Sequence, residues 1–135
     1  MTVHGSDKDN FIKIEPRGLE HPVYRISASL RGHTVRNSGI VLVHPHKFLS
    51  ALQEFERLRS GTATLRGSED FRLTIEPDGV RGHAWLSFFL AREIYQFSGQ
   101  TGRSSSGRIS IEGSFALSGD FISQFVRNFA TLLAK

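Results

Sequence analysis

The chain contains no cysteine, which removes disulfides, thiolate metal sites and cysteine nucleophiles together and fits a reducing compartment. Proline is scarce, with four in 135 residues, so each one acts as punctuation. Methionine and tryptophan occur once each and tyrosine twice, against eleven phenylalanines, so the aromatic core is built from Phe. No apolar run approaches the roughly eighteen residues of a membrane-spanning helix. The first ten residues, MTVHGSDKDN, lack the apolar stretch of a secretory signal and read as a flexible polar leader. Blocks of like charge are also missing, although the net charge is +4.

What remains is an ordinary globular composition, 39% hydrophobic and 22% charged. Residues 11–135 therefore read as a single domain, long enough to bury a core of its own. Thirteen of the seventeen basic side chains are arginine, which binds carboxylate and phosphate in bidentate fashion. An acidic partner is favoured on that ground.

Val80 to Phe97, VRGHAWLSFFLAREIYQF, has the longest strand chemistry. Alternation sends Ala84, Leu86, Phe88 and Leu90 to one face as plain core. His83, Trp85, Ser87 and Phe89 take the other, which suits either a second core or a working surface. Whether the strand continues through Arg92 or breaks before Ile94 is left open by the pattern.

Earlier strands are expected at Phe11–Glu15, Pro22–Leu30 and Thr34–Val43, the last two joined by a turn at Arg31-Gly32-His33. The period then changes. Phe48, Leu49, Leu52, Phe55 and Leu58 lie on one helical face, Pro45 suits the first turn, and Gly61 is placed to end the helix. Short strands at Thr62–Leu65 and Phe71–Ile75 precede the turn Pro77-Asp78-Gly79. Ser98–Gly107 is low in complexity and reads as a hairpin tip or linker. Alternation resumes over Arg108–Leu117, and Ser118 or Asp120 caps a final helix with the stripe Phe121, Ile122, Phe125, Val126, Phe129, Leu132 and Leu133. Leu42–Leu58 and Phe115–Leu132 echo one another, which suggests duplication of a βββα unit, although any strand-to-helix junction shares the pattern.

Strands, helix, strands, helix, with hairpin-length connections, gives an α+β fold. The expectation is an antiparallel β-sheet of about six to eight strands with two amphipathic helices packed on one face. Its other face carries the candidate partner-binding residues Arg25, Arg31, Arg72, His83, Trp85 and Phe89, with Arg103 and Arg108 at its rim. That face is open to solvent, folded over, or used for dimerisation.

The chemical motifs are sparse. His44-Pro45-His46 pairs two imidazoles without a third ligand, so no metal site is expected. His83 lacks a nucleophile in a catalytic context, and Gly99–Arg108 lacks the lysine and the strand-to-helix setting of a phosphate loop. The reading is therefore of a chain with no catalytic residue, no metal and no cofactor.

From Val41 onward the helix FLSALQEFERL, the strands TATL and FRLTI, GHAWLSFFL and the closing GSFALSGDFISQFVRNFATLL follow one another in a characteristic layout. This layout resembles the small immunity proteins of bacterial polymorphic toxin systems and related bacterial families. The resemblance implies a non-enzymatic cytoplasmic protein that binds a toxin domain. This chain is basic where nuclease-directed immunity proteins are acidic, which points away from a nuclease as the toxin. The alternative is a nucleic-acid-binding protein, with bases stacked on Trp85 and Phe89 beside Arg25 and Arg31.

Overall fold

The computed structural model describes residues 1–5, 7–18, 22–79 and 82–134, with backbone alone at Gln96 and Phe97. Val80 and Arg81, which open the central stretch, lie outside the described residues.

Four strands come first: β1 (Thr2–His4), β2 (Phe11–Arg17), β3 (Val23–Leu30) and β4 (His33–Val41). They pair in chain order as an antiparallel sheet, here sheet A. Helix α1 (Pro45–Leu58) follows. The chain then repeats the plan with β5 (Ala63–Gly67), β6 (Phe71–Pro77), β7 (Ala84–Ser98) and β8 (Arg103–Leu117), which form sheet B in order, and with α2 (Gly119–Leu133). The fold is α+β and antiparallel, as the alternation implies, and its eight strands divide into two sheets of four. The echo between the halves extends to the whole plan, four strands and a helix in each.

Differences from the sequence reading have local causes. The leader contributes β1, because Val3 is buried and the Met1 ammonium donates to Ile14 O at 2.9 Å. Helix α1 ends at Arg59, which takes the left-handed conformation (φ 55°) and donates its N–H to Phe55 O, so Gly61 comes two residues too late. Ser118 stands at the cap position just before α2 but makes no side-chain cap. β7 runs unbroken through Ala91-Arg92-Glu93, and the Ser-rich segment pairs with it from Arg103 onward.

The inner faces of the two sheets meet. Ile12, Ile14, Ile26 and Ile40 from sheet A share one core with Leu65, Leu73, Leu86 and Phe88 from sheet B. Close approach requires glycine: a Cβ on Gly113 would stand 2.9 Å from Leu30 and 3.0 Å from Phe88, and one on Gly67 would collide with Ile40 Cγ2. Asn37 on β4 donates Nδ2–H to Ala91 O on β7 at 2.8 Å, tying the sheets together.

Each helix borders a strand of the other half. α1 lies against β5 of sheet B, while Phe121, Gln124, Phe125 and Asn128 of α2 border the same groove as Thr2, Val3 and His4 of β1. The helices meet through phenylalanine, with Phe48 edge-on to Phe129 at 5.1 Å and to Phe125 at 6.1 Å. Each half is completed by the other.

Candidate functional site

Residues of β2, β3 and β4 that do not enter the core form the outer face of sheet A. Register aligns Phe11 with Ser29, Lys13 with Ser27 and Glu15 with Arg25 across β2 and β3, and Ser27 with Arg36 across β3 and β4. β2 runs on through Pro16 to Arg17, because β1 reaches only as far as Lys13 and leaves that stretch an open edge where the missing N–H breaks no ladder. Lys13, Arg17, Arg25 and Arg36 therefore share one face.

A β-bulge aims these cations. Between Tyr24 and Ile26 the register slips, so that Ser38 and Gly39 on β4 together stand opposite Arg25, one residue more than regular pairing needs. The Ser38 carbonyl accepts from Arg17 Nη1 at 2.8 Å, and its hydroxyl accepts from Arg25 Nε at 3.3 Å. Two guanidiniums thus converge on one serine. Arg36 donates Nε–H to Ser27 Oγ at 3.2 Å, across the middle of the sheet. Ser27 and Ser29 are buried although they point away from the core.

None of these three arginines has a carboxylate within salt-bridge distance among the described residues. Glu15, the acid on this face, pairs instead with Lys13 at 3.7 Å. Sheet B's outer face is the opposite case. Arg108 binds Asp70 at 2.7 Å and stands 5.8 Å from the Phe89 ring centre, and Arg72 lies 3.9 Å from Glu112. Arg72 and Arg108 each have a carboxylate within 4 Å, whereas Arg17, Arg25 and Arg36 are held by neutral oxygens and, among the described residues, have none that close. A planar guanidinium so held keeps further N–H groups for an incoming oxyanion.

The structure divides the residues expected to act together. Arg25 is on sheet A, and Arg72, Trp85, Phe89 and Arg108 are on sheet B. Arg31 occupies the β3–β4 turn with φ 51°, and His83 is exposed ahead of β7. Arg103 opens β8 at the tip of the long hairpin. The proposed stacking pair Trp85 and Phe89 is thus on a different sheet from Arg25. Arg17, Arg36 and Ser38 were not singled out from the sequence. Arg17 lies beyond the expected strand Phe11–Glu15, and alternation read straight through Thr34–Val43, without the bulge, puts Arg36 on the face of Ile40.

No protein-family model, curated protein or solved structure matches this chain. Among the described residues, no group of three or more His, Asp or Glu side chains could hold a metal ion. No helix among them is long and apolar enough to cross a membrane.

Proposed function

We propose that this protein is a non-enzymatic binding module for a protein partner that presents carboxylates to the outer face of sheet A. A toxin domain neutralised by being covered is the partner class that the immunity-type layout implies. The observation that carries the reading is the set Arg17, Arg25 and Arg36, fixed by serine oxygens and, among the described residues, without a carboxylate within salt-bridge distance. Side chains so restrained lose little freedom on binding. A carboxylate bridging Arg17 and Arg25 would accept two charge-assisted hydrogen bonds, with a second acid at Arg36.

A nucleic acid is the weaker reading, because stacking aromatics belong next to the phosphate-binding cations and Trp85 and Phe89 are on the other sheet. Titrating the protein with a labelled oligo-glutamate peptide and with single- and double-stranded oligonucleotides separates the two. The peptide should bind, and the triple variant Arg17→Gln, Arg25→Gln, Arg36→Gln should lose it while remaining folded. Tight oligonucleotide binding that falls steeply with salt would transfer the assignment to nucleic acid. Binding of neither class at low salt would remove the function from this face.

A further inference from the structure

Among the described residues, every sheet edge except one is short, bulged or partly bridged. β1 has three residues, β4 carries the bulge at Ser38-Gly39, and β5 is five residues long with Val43 bridged to Arg66. β8 is different. It is the last strand of sheet B, fifteen residues long, pairs with β7 in unbroken register, and contains neither proline nor lysine. Among the described residues no backbone hydrogen bond from another element reaches its free edge. A long straight edge of unpaired N–H and C=O groups is a template for another strand.

We propose that the strand it takes is β8 of a second copy, antiparallel, about a two-fold axis through Ser110 and normal to the sheet. The sequence on either side of Ser110 is self-complementary. In that register Arg108 faces Glu112, Ile109 faces Ile111, Gly107 faces Gly113 and Ser106 faces Ser114. Arg108 and Glu112 point to the outer face on both chains, and Ile109 and Ile111 to the inner one. Moving the axis to Ile109 or Ile111 would set Arg108 and Glu112 opposite uncharged residues, so the charges select one register.

The side chains are in the state this pairing needs. Glu112 is 72% exposed, and its nearest cation, Arg72, is 3.9 Å away, which leaves its oxygens free to accept. Arg108 is already anchored on Asp70. Pairing completes a row Asp70, Arg108, Glu112, Arg72 that alternates in sign across the seam, once on each side of the axis. Ile109, 41% exposed in the single chain, is covered by Ile111 of the other. The ribbon beyond β6 gains as well. From Ala91 and Ser110 outward it is two strands only, which is marginal in water, and in the pair its base is flanked by a third.

The absence of native cysteine makes the test direct. Ser110→Cys places one thiol on the axis, where it meets its own copy, so mild oxidation should give a disulfide-linked dimer. Ser104→Cys, which the register places opposite Ala116, should give little. Sedimentation equilibrium should show a dimer for the unmodified chain. Arg108→Glu and Glu112→Arg should each weaken it by about tenfold or more, since like charges then face one another twice. An equimolar mixture of those two variants should restore it as a heterodimer, because every pair across the seam is again opposite. A monomer at all concentrations would overturn the proposal. So would a dimer that neither cross-links in the Ser110→Cys variant nor is recovered by mixing the charge variants. Should either charge variant fail to fold, the Ser110→Cys comparison decides alone.

Discussion

Arg36 donates its Nε–H to the hydroxyl of Ser27 at 3.2 Å, and Ser27 is only 3% exposed. A serine pointing away from the core is thereby the floor on which a cation rests. Ser27→Ala keeps every charge on the face and removes this anchor alone. Affinity for an oligo-glutamate peptide should drop about three- to tenfold, the scale of one ordinary hydrogen bond, with thermal stability little changed. Fluorescence anisotropy against the parent chain measures it. Unchanged affinity would mean that Arg36 acts as an unrestrained surface charge.

Gly67→Ala probes the meeting of the sheets. The added methyl would fall on Ile40 Cγ2, with the Phe71 ring 3.3 Å away. Urea denaturation should show a loss of about 1–3 kcal/mol, as for other overpacked cores. Combining it with Ile40→Ala should cost less than the sum of the single changes, because the colliding methyl is then gone. Simple additivity would place the strain elsewhere.

Trp85 and Phe88 sit on opposite faces of one strand. Trp85 is 38% exposed on the outer face and Phe88 is 2% exposed in the core. Trp85→Ala should cost about 1 kcal/mol or less, and Phe88→Ala about 3–5 kcal/mol. Parallel urea titrations compare them. Equal losses would mean that the outer face of sheet B is covered.

Burial raises the pKa of the Tyr24 phenol above its ordinary value of 10.0. The folded chain thus favours the neutral form, while the unfolded chain ionises in the usual range. Its contribution to stability is complete below the ordinary tyrosine range and is lost as pH rises through the raised pKa. Urea midpoints followed from about pH 8 to 11 should fall more for the parent than for Tyr24→Phe. Identical slopes would show that Tyr24 ionises equally well in both states.

Much of this architecture is legible in the residues. Phe48, Leu52 and Phe55 recur at helical spacing, and Ile26, Ala28, Leu73 and Leu86 alternate at strand spacing; all are buried. The division into two sheets is not legible, because alternation states which side chains share a face but not which strands share a ladder. The same limit grouped Arg25 with Trp85. The grouping of Arg17, Arg25 and Arg36 depends on a bulge at Ser38-Gly39, where one extra residue inverts the alternation and puts Arg36 and the buried Ile40 on opposite faces although they are four residues apart.

The placement of α2 sets the order of synthesis against the order of completion. β1 is made before the other seven strands, and α2, which borders it, follows all of them. Sheet A can form its hairpins early, yet the apolar surface around Val3 stays uncovered until Phe125 has been made. A nascent chain stalled before Ser118 would display that surface to chaperones and proteases. Cover for Val3 therefore waits on an element that follows all eight strands, and the sheet made first is finished last.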